Sequence, residues 1–232
     1  PTVVFDVEPD ESGCIMLQAA DVWRFELRES FLVQLPGVNN DFAAHSHRTL
    51  VLHAGAVRTP DGRLILLPGA ADAGKSTLTG AMIQAGCHYL GDELVGVRVD
   101  TLAVSGFPRA LVLDASSRRA LGLHGTDLSS PHVRASELRP AVESIEGGVG
   151  AVSEIIMPTF DPVVPAIAAE SLGPLESLRA LLPAVINLAR SVDDGWRTLC
   201  QLAEPVPVTT ITHPSSQDLA EQLVTDGAPN EN

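Results

Sequence analysis

The feature that most constrains the fold is a glycine-rich loop that joins two regular elements. Residues 63–69, RLILLPG, form an apolar run that is typical of a strand inside a parallel or mixed sheet. The loop GAADAGKST at 69–77 follows directly, and the run after it places Leu78, Met82 and Ile83 on one helical face. The sequence therefore predicts strand, loop and helix in that order.

The loop matches the pattern G-x-x-x-x-G-K-[ST] at Gly69, Gly74, Lys75 and Ser76. Its glycines let successive backbone N–H groups turn toward a phosphate, where a Cβ would intrude, and the following helix adds partial positive charge. The stretch lacks the middle glycine of the dinucleotide pattern G-x-G-x-x-G. The predicted nucleotide-binding residues are Gly69, Ala70, Ala71, Asp72, Ala73, Gly74, Lys75, Ser76 and Thr77.

Lys75 is the only lysine in the chain, beside fourteen arginines. Its compact ammonium on a flexible stem fits among the β- and γ-phosphate oxygens inside such a loop, whereas a planar guanidinium is too bulky there. The hydroxyl of Ser76 is suited to the Mg²⁺ that accompanies a nucleotide. We therefore predict ATP and Mg²⁺ as the ligands of this loop.

Two adjacent acids, Asp92 and Glu93, end the next predicted strand, in the segment YLGDELVGV. The second strand of a nucleotide-binding sheet commonly presents acidic groups to Mg²⁺ at this point. Adjacent side chains of an extended chain point in different directions, so one carboxylate can hold the metal while the other reaches a substrate hydroxyl. The preceding Gly91 leaves a second interpretation open, in which both acids are turn residues that face solvent.

Two further polar residues have no assigned role on sequence grounds alone. His53 interrupts the apolar segment LVLHAGAV upstream of the loop strand, where a lone histidine is more often structural than functional. Arg109, in GFPRALVLD, is equally compatible with a contact to the phosphates and with a place on the surface.

The rest of the second half of the chain alternates between strand and helix patterns. The apolar run at 47–57 predicts one continuous strand, and a long helix is predicted at 175–192, which Pro183 should kink or split. The remaining predicted elements are strands within 87–107 and at 153–160 and 206–213, and a final helix at 216–227.

The amino-terminal residues have a different pattern. Segments 2–7 and 23–35 alternate apolar and polar residues, as half-buried antiparallel strands do, and turn signals occupy 8–13 and 36–41. We therefore expect three parts, which are a β-rich segment at 1–47 packed on the core, a phosphate-loop domain at 48–225 and a disordered tail at 226–232.

Charge and composition narrow the classes of partner. The formal net charge of −14, without any basic run, disfavours nucleic acid. The apolar runs are too short or too interrupted to span a bilayer, and no secretory pattern opens the chain, so we expect a cytoplasmic protein that does not act at a membrane. Cys14, Cys87 and Cys200 lack CxxC spacing, which argues against a disulfide framework or a zinc site. A homo-oligomer is compatible with the sequence.

Four segments, at 52–57, 69–78, 85–94 and 202–223, resemble in order and spacing the HPr kinase/phosphorylase-like proteins. These are relatives of the catalytic domain of bacterial HPr serine kinase and, more distantly, of ATP-dependent phosphoenolpyruvate carboxykinase. The resemblance covers about residues 48–225. It implies an α/β fold with a phosphate-loop core of that type, to which the amino-terminal antiparallel sheet is an appendage.

The same resemblance implies roles for individual residues. His53 becomes an active-site residue, Asp92 the base that acts on the acceptor hydroxyl, and Glu93 a ligand of Mg²⁺ together with Ser76. Two departures from the family are visible. Ala71 and Asp72 stand where relatives often have Ser-Gly, and no segment clearly matches the one that contacts HPr.

These residues lead to two functional hypotheses. The first is a Mg²⁺–ATP-dependent kinase, with Asp92, His53 and Lys75 as catalytic residues, that phosphorylates a hydroxyl of a peptide, a small protein or a small metabolite. The second is a non-catalytic ATP-binding regulatory or scaffold protein. A base and a histidine aimed at the γ-phosphate favour the kinase, because a protein that only binds nucleotide has no need of them.

Overall fold

The computed structural model describes residues 6–10, 13–18, 21–25, 49–106, 108–123, 131–145, 147–188 and 192–225. The chain divides into two compact units, Pro1–His45 and Ser46–Asn232. The predicted disordered tail at 226–232 lies outside the described residues.

The smaller unit contains an antiparallel sheet of three successive strands, β1 (Asp6–Asp10), β2 (Gly13–Gln18) and β3 (Asp21–Phe25). Antiparallel strands are what the alternating pattern predicts. The turn expected at 8–13 is too long. Strand β1 continues to Asp10, which pairs with Gly13. The two residues between them are enough, because a hairpin needs only about two connecting residues. The predicted strand and turn signals beyond residue 25 lie outside the described residues.

The larger unit is a mixed α/β structure with several sheets. Its strands are β4 (Thr49–Leu52), β5 (Ala54–Arg58), β6 (Leu64–Pro68), β7 (His88–Gly91), β8 (Val95–Arg98), β9 (Ala103–Gly106), β10 (Leu111–Val112), β11 (His132–Val133), β12 (Gly147–Ala151), β13 (Glu154–Phe160), β14 (Ala168–Ser171) and β15 (Val208–His213). Its helices are α1 (Lys75–Gln84), α2 (Ala115–Ala120), α3 (Ala135–Leu138), α4 (Pro174–Leu181), α5 (Val192–Ala203) and α6 (Ser216–Thr225).

The strands of this unit form a six-stranded sheet in the order β14-β15-β13-β6-β5-β7, a four-stranded sheet in the order β12-β9-β8-β4, and the pair β10-β11. Strand β6 lies near the middle of the large sheet and is buried on both faces. Leu64 and Leu66 pack into one core cluster, whereas Ile65 and Leu67 pack into a second cluster with Leu78 of α1. Burial on both faces explains the continuous apolar run from which this strand was predicted.

Three adjacent strands of the large sheet are parallel and end at the same edge. Strand β13 pairs in parallel with β6 and with β15, in a register that places Ile155 opposite Leu66 and Phe160 opposite His213. The glycine-rich loop after β6 and the residues that follow β13 and β15 therefore emerge at one edge. In α/β sheets this carboxyl edge is where ligands bind.

The single strand predicted at 47–57 is wrong. Strand β4 ends at Leu52 and β5 begins at Ala54, and the two strands belong to different sheets. His53 lies at the change of sheet, where its backbone N–H donates to the carbonyl oxygen of Ala184 at 2.7 Å. Both halves of the run are buried, so the sequence is apolar on both sides of the break between β4 and β5 and gives no sign of it.

The helix after the loop is confirmed, because α1 spans Lys75–Gln84 and Gly86 follows with a φ of +112°. The helix predicted at 175–192 is correct only in its first half. Beyond Pro183 the prediction is wrong, because Val185 is extended and bridges Leu52, and the next helix, α5, begins only at Val192. Helix α4 ends at Leu181, and Pro183 lies in a 3₁₀ turn at Leu182–Ala184, as expected for a residue without an N–H. The predicted strands at 153–160 and 206–213 correspond to β13 and β15, and the predicted final helix corresponds to α6.

Candidate active site

The glycine-rich loop connects β6 to the amino terminus of α1 and requires glycine at one position. Gly74 has a φ of +90°, in the left-handed region, and a Cβ there would lie 3.1 Å from the Cβ of Phe160. The Phe160 N–H donates to the carbonyl oxygen of Ala73 at 3.2 Å, so the end of β13 holds the loop from behind. Asp72 also has a left-handed φ, of +61°, and its side chain is exposed. The left-handed backbone conformations of Asp72 and Gly74 together turn the loop toward the helix.

Lys75 is buried at the start of α1, with 7% of its surface exposed. Its Nζ donates to the carbonyl oxygen of Ala70 at 2.6 Å, within the loop itself. Burial lowers the pKa of Lys75, and the carboxylates of Asp92, Glu93 and Asp72 partly oppose that shift. The ammonium therefore lies in a region of negative charge and points into the loop.

Asp92 is almost fully buried, with 1% of its surface exposed. Neither carboxylate oxygen has a hydrogen-bond partner in the described part of the chain. Burial raises the pKa of Asp92, and Glu93 raises it further, whereas nearby Ser76, Arg109 and Lys75 lower it. The Ser76 hydroxyl is thus close enough to influence the carboxyl but lacks the geometry of a full hydrogen bond. The interpretation of Asp92 as a solvent-facing turn residue is therefore wrong.

Glu93 and Arg109 form an ion pair beside Asp92, with 2.6 Å between Oε2 and Nη2. Glu93 has a φ of +79°, which a non-glycine residue rarely adopts and which is often found at functional sites. The other two guanidinium nitrogens of Arg109, Nε and Nη1, are buried without a partner among the described residues. The carbonyl oxygen of Arg109 accepts a hydrogen bond from the buried Tyr89 hydroxyl at 2.8 Å, which fixes this arginine beside β7.

His53 lies near the same charges. Burial lowers its pKa, as do the positive charges of Lys75 and Arg109, while Glu93 raises it. The imidazole is therefore neutral at neutral pH and within electrostatic reach of the lysine, the arginine and the glutamate. We call His53, Lys75, Asp92, Glu93 and Arg109 the charged cluster.

The predicted site residues thus come from three separate segments of the chain. The sheet change after β4 supplies His53, the loop and α1 supply Lys75 and Ser76, and the end of β7 supplies the two acids. Thr77 donates through its Oγ1 to the Ser117 hydroxyl of α2 at 2.8 Å, and both residues line the cavity beside the loop. Arg109 is the member that sequence reasoning left undecided, and its ion pair with Glu93 is the feature that places it in the cluster.

A cavity of about 570 Å³ opens beside the loop at the carboxyl edge of the large sheet. Its wall is formed by the loop and the start of α1, by β10 and α2, by the end of β13 and by the start of α6. Residues of this wall that sequence reasoning did not identify include Val112, Asp114, Phe160, Ser215 and Gln217. None of them belongs to a recognisable motif, and they come together only through the tertiary fold.

The described residues near the loop offer few ligands of their own for a metal ion. Among the described residues, no group of three or more histidine, cysteine, aspartate and glutamate side chains could hold a metal. Mg²⁺ does not require such a group, since it commonly takes one or two carboxylates, phosphate oxygens and water. Ser76 and Glu93 are the residues here that suit that coordination.

Comparison with known proteins gives matches among solved structures alone. The sequence matches no protein-family model and no curated protein. The chain is similar to the solved structure of the Hpr(Ser) kinase/phosphatase from Coxiella burnetii, with 17% sequence identity and a TM-score of 0.40, over 76% of this chain and 94% of that chain. This likeness carries no functional argument.

In the described part of the chain, every helix is too short or too polar to cross a bilayer.

Proposed function

We propose that the protein is a Mg²⁺–ATP-dependent kinase that transfers the γ-phosphate to a hydroxyl of a peptide, a small protein or a small metabolite. The observation that carries this proposal is Asp92, a buried carboxylate without a hydrogen-bond partner among the described residues, beside the lysine of the glycine-rich loop. A buried carboxylate is costly unless something compensates for it. A protein that only holds nucleotide has no use for such a group at this point.

Binding of the phosphates falls to the loop and Lys75. The loop amides and the amino terminus of α1 present N–H groups to an anion. Lys75 now donates to the carbonyl oxygen of Ala70, and phosphate oxygens would replace that carbonyl as acceptors with stronger, charge-assisted bonds. Ser76 and Glu93 would hold Mg²⁺, which neutralises charge on the phosphate oxygens when it is bound.

Arg109 is suited to stabilise the phosphoryl group as it moves. Its Nε and Nη1 are buried donors without acceptors in the described part of the chain. Charge spread over the oxygens of a phosphoryl group in flight would supply acceptors that the protein itself does not provide. The ion pair with Glu93 holds the guanidinium in position.

Asp92 acts as the general base. It takes the proton of the acceptor hydroxyl while the acceptor oxygen bonds to the γ-phosphorus, the bond from that phosphorus to the β,γ-bridging oxygen breaks, and ADP leaves. Because burial raises the pKa of this carboxyl, it is a better proton acceptor than an exposed aspartate. His53, kept neutral by its surroundings, can donate or accept a hydrogen bond next to the transferred group.

Asp92→Asn tests this assignment. The amide is nearly isosteric, so we expect the variant to bind Mg²⁺–ATP as the wild type does but to lose roughly 10²- to 10⁴-fold in phosphoryl transfer, the range for removal of a positioned base. Transfer is measured with radiolabelled ATP. The candidate acceptors are amino acids, peptides encoded by the neighbouring genes, and metabolites made by the enzymes that those genes encode. Slow transfer to water provides a second readout.

The matched control is Asp100→Asn, which removes an exposed carboxylate and should leave transfer unchanged. Transfer that persists at the wild-type rate in Asp92→Asn would contradict the base assignment. Tight binding of ATP by the wild type, without transfer to any acceptor or to water, would favour the regulatory or scaffold function instead.

A further inference from the structure

The cavity beside the loop lies on one side of the charged cluster. Lys75 and Ser76 line it, but Asp92, Glu93 and His53 do not. An acceptor hydroxyl has to reach Asp92 to lose its proton, so a molecule that fills this cavity is not presented to the base. The cavity therefore lies on the donor side of the loop, next to the start of α1.

The charge of the wall indicates what kind of group can occupy it. Asp72 and Asp114 both line the cavity. Hydrogen bonds from the Ser117 N–H, the Ser117 hydroxyl and the Ser116 hydroxyl lower the pKa of Asp114 to about 2, so this carboxylate is charged at neutral pH. Two carboxylates repel a phosphate chain, which leaves the body of the cavity to a neutral group with hydroxyls.

The apolar part of the wall offers a flat surface. Phe160 is 47% exposed and Val112 41% exposed, and both line the cavity. The Phe160 ring also packs on the buried His213 ring, with centroids 5.8 Å apart and planes at 57°. This contact and the strand end beneath it fix the aromatic ring before any ligand arrives.

We propose that this cavity is the nucleoside subsite of the phosphate donor, in which the base stacks on Phe160 and lies against Val112, and the ribose hydroxyls meet Asp114. The inference rests on the proposed function, since it assigns the donor's base and sugar to a place beside the phosphate loop. About 570 Å³ is within the size range of small-molecule sites and has room for a nucleoside. Phe160 thus becomes a specificity residue for the donor.

The test compares two donors that differ only in the nucleoside. Calorimetry in the presence of Mg²⁺ measures the Kd of ATP and of inorganic tripolyphosphate for the full chain and for Phe160→Ala. Loss of one base–aromatic stack corresponds to about 5- to 150-fold in Kd. We expect that loss for ATP and an unchanged Kd for tripolyphosphate. The control is Val163→Ala, an apolar residue 86% exposed and absent from the cavity wall, which should change neither Kd.

Phe160 also contacts the loop, so a second variant separates stacking from loop support. Ala120 is exposed on α2 and lines the cavity, and Ala120→Trp should fill the space without disturbing the loop. We expect this variant to weaken ATP but not tripolyphosphate. An equal loss for both donors in Phe160→Ala, or wild-type ATP affinity in Ala120→Trp, would overturn the nucleoside assignment.

Failure of the proposed function would give a different result. If the loop binds no phosphate, the wild type binds neither ATP nor tripolyphosphate, and both proposals fall together. If the loop binds phosphates but the cavity is not the nucleoside subsite, the wild type binds both donors and the ratio of their Kd values is the same in all variants. That outcome overturns the subsite alone.

Discussion

Charged groups near the two ends of strand β6 differ in whether they have hydrogen-bond partners. At the start of the strand, Arg63 is paired through all three of its nitrogens, to Asp61 at 2.8 Å, to Glu154 at 2.9 Å and to the carbonyl oxygen of Leu223 at 2.8 Å. At the other end, beyond the glycine-rich loop, Asp92 has two buried oxygens and Arg109 two buried nitrogens without partners among the described residues.

This difference separates charges that hold the fold from charges kept for a ligand. A buried polar group normally has a hydrogen-bond partner, and one that lacks it destabilises the native state. All three guanidinium nitrogens of Arg63 have acceptors within the chain, so this group stabilises the fold and needs no ligand. The charged cluster is complete only when something else supplies donors and acceptors, which is the reason to expect a ligand there.

The largest expected effect belongs to Lys75. Lys75→Ala should remove at least two charge-assisted hydrogen bonds of about 1.5 to 3 kcal/mol each, and so raise the Kd of Mg²⁺–ATP by roughly 10²- to 10⁴-fold. Lys75→Arg should also bind poorly, because the guanidinium does not fit the loop. Calorimetry measures both variants. Arg63→Met, at the other end of β6, should leave the Kd unchanged, and wild-type affinity in either lysine variant would remove the basis for the phosphate loop.

A smaller effect concerns the metal. Ser76→Ala and Glu93→Gln should each raise the Mg²⁺ concentration at half-maximal transfer roughly tenfold, which corresponds to about 1.4 kcal/mol, while metal-free nucleotide binding stays comparatively intact. Arg109→Gln should move that midpoint the other way, since it frees Glu93 from its ion pair. Glu154→Gln removes the same charge from the paired group at the start of β6 and serves as the control. Unchanged midpoints in the three site variants would place the ligands elsewhere.

The smallest expected effect is on stability, and it has opposite signs at the two ends. Arg63→Met should lower the free energy of unfolding by about 1 to 2 kcal/mol, a modest figure because the Arg63 side chain is 28% exposed. Asp92→Asn should raise it, because the variant replaces a buried charge without a partner by a neutral amide. Thermal unfolding measures both, at about 2 to 4 °C per kcal/mol.

The pH dependence of that difference follows from the direction of the pKa shift. Burial raises the pKa of Asp92 in the folded protein above its unfolded value, so the group favours the folded state at low pH and loses that contribution as the pH rises through the folded pKa. The stabilisation by Asp92→Asn should therefore be greatest where the pH exceeds the folded pKa of this carboxyl, and it should shrink as the pH falls through that pKa. A difference in Tm that is constant with pH would show that the carboxyl does not titrate abnormally.

Local features of this protein could be predicted from the sequence because short-range patterns determine them. Helix α1 follows from Leu78, Met82 and Ile83 on one face, and strand β6 follows from its continuous apolar run. The end of helix α4 just before Pro183 has the same local origin, whereas the helix expected beyond that proline does not form. In each case the signal lies within a few residues of the structure that it specifies.

What the sequence could not supply depends on contacts between distant segments. The apolar run across His53 gives no sign that the chain changes sheets there, since both halves are buried. The ion pair that places Arg109 beside Glu93, and the packing that brings Phe160 behind Gly74, join residues far apart in the chain. The cavity is a product of the same long-range packing. For the site, the residue types could be predicted from the sequence, whereas their proximity is visible only in the structure.

The burial of the only lysine makes it a chemical handle. Arginines do not react with acylating reagents, so Lys75 is the one side-chain amine in the chain that such reagents can modify. Because burial lowers its pKa, more of this amine is in the neutral, nucleophilic form than for a surface lysine. It also lines the cavity. A molecule shaped to that space and carrying an electrophile would thus attach at a single, known atom, which makes the site accessible to covalent probes.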